Sequence, residues 1–213
     1  MPMRLTELPC EEFSDRLAGH NASPGGGGAA ALVGALGAAL CSMAGAFTLG
    51  RPRFADVADE VREILDEADD VRMRLTELVD DDVDGFAPLM EAYALPRDAP
   101  GRAEAVESAT QGACMAPLAM MGECCRAVAL LERMAALCPE LMRSDVASGA
   151  FLVAAALQTS AVNVFVNAAA LRDRAQASLF DATCDEMLDE WLPRAVGLGR
   201  SLLDEIRERG EAL

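Results

Sequence analysis

The feature that most constrains this chain is a stretch of 21 residues without a charge, Ala29–Leu49, entered through the run Asn21-Ala-Ser-Pro-Gly-Gly-Gly-Gly28. At helical spacing it carries two stripes. One is bulky (Leu32, Leu36, Leu40, Met43, Phe47) and the other small (Ala30, Gly34, Gly37, Cys41, Gly45). A helix apolar on every side is the centre of a bundle or a membrane span, and a small stripe lets a neighbouring helix come close in either setting. The other helical stretches are heavily acidic and no basic cluster marks a cytoplasmic flank, so the sequence predicts a bundle centre and no membrane partner.

The remaining pattern is helical as well. A short helix is expected over Glu11–Gly19. A long one runs from Phe54 to Leu95, with kinks expected near Gly85 or Pro88 and a stop at Pro96. Further helices follow over Arg102–Leu137, kinked at Pro117, from a cap at Ser144-Asp145 through Leu171, and over Ser178–Gly210 with Pro193 inside. Aromatic residues are 4% of the chain and 52% is hydrophobic, rich in alanine and leucine, which favours close-packed helices over strands. The expected fold is an all-α multihelical bundle formed by residues 1–213 as one domain, with Ala29–Leu49 and Val146–Leu171 at its centre.

Charge and cysteine usage narrow the function. A formal charge of −17 leaves no basic patch for phosphates, so nucleic acid is not an expected partner. Apart from His20 every basic residue is arginine, suited to planar anions rather than to proton shuttling. Seven cysteines, without a CxxC and with one histidine, read as reduced core thiols of a cytoplasmic protein with no zinc site. The adjacent Cys124-Cys125 keeps a soft-metal reading open.

Three breaks in the apolar pattern are candidates for chemistry. In Leu78-Val-Asp-Asp-Asp-Val-Asp-Gly-Phe86, a 100° advance per residue from Leu75 gathers Leu78, Val79, Phe86, Leu89 and Tyr93 within about 50° of one direction. Asp82 falls inside that cluster, whereas Asp80, Asp81 and Asp84 point away. A carboxylate on a core seam has its pKa raised, the usual condition of an acid/base group. The competing reading is a helix end near Gly85 that Asp82 caps. Asn163 and Asn167 lie one turn apart on an apolar helix and either bond across the core or line a pocket. Glu123, isolated among apolar residues, has the same two readings. Gly25, Gly26, Gly27 and Gly28 open a helix whose free N–H groups suit an anion, although a tight turn is equally compatible. Arg51 and Arg53, at that helix's far end, either hold a substrate carboxylate or belong to a solvated turn.

Taken together, Ser23-Pro-Gly-Gly-Gly-Gly-Ala-Ala-Ala31, Leu78-Val-Asp-Asp-Asp through Phe86, Leu95-Pro96, Ser144-Asp145, Asn163 through Asn167 and Leu171-Arg-Asp173 resemble one family in order and spacing. It is the cyclodeaminase domain of formiminotransferase-cyclodeaminase, with its stand-alone relatives, the methenyltetrahydrofolate cyclohydrolases. The resemblance implies an all-helical homodimer acting on tetrahydrofolate that carries a one-carbon unit, in mono- or polyglutamylated form, with no metal and no cofactor beyond the folate itself. It implies Asp82 as acid/base, with Asp80 as runner-up. Binding then falls to the glycine run, Arg51, Arg53, Arg97, Asn163, Asn167 and Asp173. The family usually has serine where Gly28 stands, lysine where Arg97 stands, and an unbroken basic run where Pro52 intervenes. The alternative function is a non-catalytic bundle, a folate-binding remnant of the same family.

Overall fold

The computed structural model describes residues 4–20 and 23–211, so Asn21 and Ala22 of the glycine-run segment lie outside the described residues. Among them every regular element is helical. The main ones are α1 (Cys10–Ala18), α2 (Gly26–Thr48), α3 (Ala58–Ala94), α4 (Arg102–Ala113), α5 (Met115–Leu137), α6 (Arg143–Ala170) and α7 (Arg174–Glu211). One buried apolar cluster reaches from Leu5 to Leu202.

α2 lies in a trough between α3 and α6, antiparallel to both. The contacts run in opposite senses along the chain: Gly27 meets Asp82, Gly34 meets Leu75 and Ala156, and Gly37 meets Val153. The small stripe explains this closeness. A Cβ at Gly37 would stand 2.5 Å from Val153 Cγ2 and 3.0 Å from the Gly149 carbonyl oxygen, and one at Gly149 would stand 3.0 Å from the Gly37 carbonyl oxygen. The two helices therefore touch backbone to backbone at a glycine pair, the closest approach two helices can make.

The bulky stripe lies on the other side of α2 and is only partly covered, with Leu32 and Leu40 half-buried. Leu36 is 52% exposed, Met43 42% and Phe47 48%. Two apolar helices at the centre were expected, and α2 and α6 do pack on each other. Yet each turns one apolar face outward, on α6 at Val162 (58% exposed) and Val166 (66%). Periodicity identifies both stripes but cannot say which one the chain covers; the need for close approach selects the small one. Three helical stretches, Gly26–Thr48, Arg102–Leu137 and Glu140–Ala170, are long and apolar enough to cross a membrane by length and composition. About half of each such window is buried inside the bundle.

Several boundaries move from their expected places for physical reasons. α2 begins at Gly26, so most of the glycine run is its first turn. Pro52–Val57 forms a 3-10 segment before α3, and α3 then continues through Gly85 and Pro88 to Ala94. Tyr93 is 47% exposed, because α3 has by then run past the start of α2. Arg102–Leu137 is two helices that meet at Cys114, not one helix kinked at Pro117. Pro117 has no N–H for the Ala113 carbonyl and its ring crowds that oxygen, so the break falls one turn upstream. Ser144 bonds back to the Leu141 carbonyl instead of capping α6, whose first helical residue is Arg143.

Arginines tie the outer helices together. Arg133 of α5 bonds Glu63 and Glu67 of α3 at 2.8 and 2.9 Å, and Arg194 of α7 bonds Glu132 of α5 at 2.6 Å. The glycine pair is the more sensitive joint. Gly37→Ala should lower stability by about 1–3 kcal/mol, the usual penalty for overpacking a close helix contact. Gly122→Ala, with open space around it, should be neutral or slightly stabilising. Urea unfolding followed by circular dichroism distinguishes the two.

Candidate active site

Where α2 starts, the C-terminal third of α3, the α4–α5 break and the C-terminal half of α6 enclose a cleft of about 510 Å³, the size of a small-molecule site. Its floor is polar: Gly25, Gly26, Gly27, Asp82, Asn163 and Asn167. Its walls are apolar, chiefly Val83, Phe86, Met90 and Val166.

Asp82 sits where α3 passes closest to the first turn of α2. A Cβ at Gly27 would come within 2.5 Å of Asp82 Oδ2 and 2.6 Å of its Cγ, so the carboxylate occupies the space a side chain there would need. Burial pushes the Asp82 carboxyl above the ordinary carboxylate range, and a hydrogen bond from the Gly28 N–H opposes the shift. The free amides of this helix start thus already serve an anion belonging to the protein itself. Asp82 sits inside the continuous helix α3, which runs on through Gly85, so it caps no end of its own helix. A Cβ at Gly28 meets only ordinary contacts, 3.6 Å to Pro24 Cβ and 3.7 Å to Val79 Cγ1, so a side chain fits there.

Both asparagines line the cleft, and Asn167 alone also bonds across to another helix. Asn163 Nδ2 donates to the Thr159 carbonyl at 2.8 Å, which orients an amide that also lies 3.7–3.8 Å from the Cβ position of Gly26. Asn167 Nδ2 donates at 2.9 Å to the Ala113 carbonyl, the oxygen that Pro117 leaves without a helical donor. Each amide keeps its Oδ1 and one N–H for a ligand. The Pro117 break and the Asn167 amide are therefore one device, and Ala113 and Pro117 both line the cleft.

Other candidate residues fall elsewhere. Asp80 faces the N-terminal segment, where it accepts from Leu5 N–H at 2.7 Å, Thr6 Oγ1 at 2.8 Å and Arg4 Nε at 3.2 Å. Asp81 pairs with Arg74 at 2.9 Å. Glu123 pairs with Arg126 at 2.8 Å. Asp173 caps α7, accepting from the N–H groups of Ala175 and Gln176 at 3.0 and 3.1 Å, and lines no part of the cleft. Arg97 is exposed beyond the end of α3, two turns past Met90, whereas Arg51 and Arg53 are exposed at the opposite end of α2. Cys124 and Cys125 are buried; desolvation raises both thiols, Cys125 to about 12, so the pair stays protonated and is a poor soft-metal site.

Sequence reasoning missed Met90, Glu91 and Ser23 as lining residues. Met90 had a signal, since it lies one turn beyond Phe86 and two beyond Asp82 on the same side of α3. Glu91 had none, because its charge reads as part of the solvated face.

Fold and cleft define an all-α domain with a cleft of small-molecule size over one half-buried carboxylate of raised pKa. Comparison with known proteins makes this specific. Residues 9–186 match the sequence profile of formiminotransferase-cyclodeaminase. The methenyltetrahydrofolate cyclohydrolase of Methylorubrum extorquens is 37% identical over 171 residues, 78% of this chain and 82% of that one. The formimidoyltransferase-cyclodeaminase of Sus scrofa is 30% identical over 96% of this chain, which spans only 38% of the pig protein's length. The crystal structure of formiminotetrahydrofolate cyclodeaminase from Thermotoga maritima matches with a TM-score of 0.86 and 25% identity, covering 95% of this chain and 99% of that one. The chain belongs to the formiminotransferase-cyclodeaminase family.

Asp82 should be visible in the pH dependence of stability. Its folded pKa is raised, so ionising it opposes folding: the penalty is absent below the ordinary carboxylate range and complete above the raised folded value. Asp82→Asn should therefore melt higher than the parent at pH 7 to 8, and the advantage should shrink as the buffer is taken toward pH 4. Thermal melts across that range check the sign.

Proposed function

We propose that this chain is a folate one-carbon enzyme that works on the C–N bonds at the N5/N10 carbon unit. It hydrolyses methenyltetrahydrofolate, releases ammonia from formiminotetrahydrofolate, or does both. The observation that carries the reading is Asp82, a half-buried carboxylate of raised pKa at the floor of an apolar cleft, in a chain of this family.

The chemistry asks for what the cleft offers. In hydrolysis, water attacks the cationic methenyl carbon and gives a proton to the Asp82 carboxylate. As the bond from carbon to N5 breaks, N5 receives a proton from Asp82 and the new hydroxyl loses its own to solvent, leaving the formyl group on N10. In deamination, N10 attacks the protonated formimino carbon and passes its own proton to the Asp82 carboxylate; Asp82 then gives that proton to the amino group, which departs as ammonia and leaves the methenyl cation. In both, a carboxylate beside a cationic carbon stabilises it electrostatically, more strongly in a cleft that excludes water. Phe86, Met90 and Val166 offer flat and flexible apolar surface to the pterin and benzoyl rings. The Asn163 and Asn167 amides offer hydrogen bonds to a polar ring edge.

The reading calls for no metal and no cofactor besides folate. Among the described residues no three His, Cys, Asp or Glu side chains are grouped as a metal site. It also carries a cytoplasmic location, in keeping with free cysteines of which six are buried, and no membrane or nucleic-acid partner. The same reading gives Arg97, exposed just past the end of α3, a share in holding a glutamate or polyglutamate tail. The exposed apolar faces of α2 and α6 support a homodimer.

The purified protein, incubated separately with methenyl- and formimino-tetrahydrofolate, should change near-UV absorbance or release ammonia faster than buffer. A folded protein without rate on either substrate removes the reading. Asp82→Asn should lower kcat by about 10² to 10⁴, the scale of a lost acid/base group. Asp84→Asn, exposed on the far face of α3, should behave as the parent. Because a base must be ionised, parental kcat/KM should fall on the acid side at a pH above the ordinary carboxylate range, and that limb should vanish in Asp82→Asn.

A further inference from the structure

The cleft has a charge mismatch with its proposed substrate. Among the described residues lining it none is basic, and Asp82 and Glu91 are both acidic, yet a folate tail carries carboxylates. Arg51 and Arg53 lie past the other end of α2. That helix runs from Gly26 to Thr48, about 33 Å at 1.5 Å per residue, farther than a monoglutamyl folate extends. Within one chain these arginines lie beyond the reach of a monoglutamyl substrate seated in the cleft. Among the described residues neither forms an ion pair, whereas most other arginines do, and the Arg53 guanidinium rests over the Phe54 ring at 5.6 Å.

The partly covered bulky stripe of α2 supplies the missing geometry. Leu32, Leu36, Ala39, Leu40, Met43 and Phe47 point within about 60° of one direction, and Leu36, Met43 and Phe47 are 42–52% exposed. The stripe is self-complementary when a second α2 is laid against it antiparallel. Leu32 then opposes Phe47, Leu36 opposes Met43, and Ala39 opposes Leu40, about a two-fold axis between residues 39 and 40. This is the isologous arrangement of a closed dimer, in which every contact occurs twice. The same register sets the C-terminal end of one α2, with the turn after it that carries Arg51 and Arg53, against the glycine-rich start of the other. Gly25 and Gly26 line the cleft, as does Val166, which belongs to the neighbouring exposed apolar face of α6. The mouth of the cleft and the apolar face are thus one continuous surface. The charges match too, with two unpaired arginines meeting an acidic end.

We propose that the exposed face of α2 seats a second copy of this chain in that antiparallel register, and that Arg51 and Arg53 of the partner subunit bind the anionic tail of the substrate held in the first copy's cleft. The second half rests on the folate reading given above. Each site is then completed across the interface: Asp82, Asn163 and Asn167 come from one subunit and the tail-binding cations from the other. The charge-free α2 has a use for its bulky stripe as well as its small one. The small stripe assembles the subunit, and the bulky stripe assembles the pair.

A hybrid dimer tests the assignment. The Asp82→Asn chain and the Arg51→Ala/Arg53→Ala chain are co-expressed with different tags, and the mixed dimer is isolated through both. Arg51→Ala/Arg53→Ala homodimers should show KM for pentaglutamyl methenyltetrahydrofolate raised about tenfold, equivalent to roughly 1.4 kcal/mol. The hybrid contains one cleft with intact Asp82 facing intact partner arginines, so it should regain the parental KM at half the parental kcat per dimer. A hybrid that keeps the raised KM places the arginines in the same chain as the cleft and overturns the proposal. So does an unaltered KM in the Arg51→Ala/Arg53→Ala homodimer.

The register has its own readout, independent of turnover. Leu36→Cys and Met43→Cys chains should form a disulfide-linked dimer when mixed under mild oxidation, and neither should do so alone. A parent that is monomeric by light scattering, or a mixture without the cross-link, sinks the interface. If the parent neither binds nor turns over folate, the functional reading and the tail assignment fail together, while the cross-link still decides the interface. If Asp82→Asn stays active, only the catalytic assignment fails and the cross-link again decides the interface.

Discussion

The rest of the structure depends on how closely α2 can approach α3 and α6. At Gly37 and Gly149 the backbones of α2 and α6 touch, and at Gly27 the first turn of α2 leaves room for a carboxylate of α3 where a side chain would stand. One small-residue stripe therefore sets both the density of the core and the position of Asp82. A methyl group at either place acts on a different property: stability at Gly37, site geometry at Gly27. Packing and chemistry are separate duties of the same helix face, divided along its length.

The electrostatics of the site follow from this closeness. Asp82 is desolvated because α2 lies on top of it, and it remains accommodated because the helix offers the Gly28 N–H. Removing water raises the pKa and donating a hydrogen bond lowers it; burial wins, which leaves a carboxyl able to exchange protons closer to neutrality. Asp80 is two residues away with three donors and faces the N-terminal segment. The difference between the two acids is one of helical angle, about 200° on a wheel, and of what happens to lie opposite.

That angle was legible in the sequence, as were the helical class, the two stripes of α2 and the pairing of Asn163 with Asn167 on one side of α6. What could not be read is what each side meets. The bulky stripe looks like core by hydropathy, but the chain covers the small one, because tight helix contact rewards the absence of side chains. Asp173 carries a motif of the family, and its place before α7 shows it in the duty of a helix cap. Arg51, Arg53 and Arg97 look alike in sequence, yet α2 is long enough to put the first two at the opposite end of the subunit from the third. Such separations depend on the direction in which successive helices run, which no local pattern records.

Pro117 and Asn167, joined through the Ala113 carbonyl, constrain how such a chain can diverge. A residue with an N–H at position 117 could satisfy that carbonyl from within the helix and so free the amide of Asn167, while the loss of Asn167 beside a retained proline strands a buried oxygen. Two positions 50 residues apart are thereby bound to a shared history. Lineages that keep the proline should keep the amide, and the order of replacement in those that lose both should be proline first.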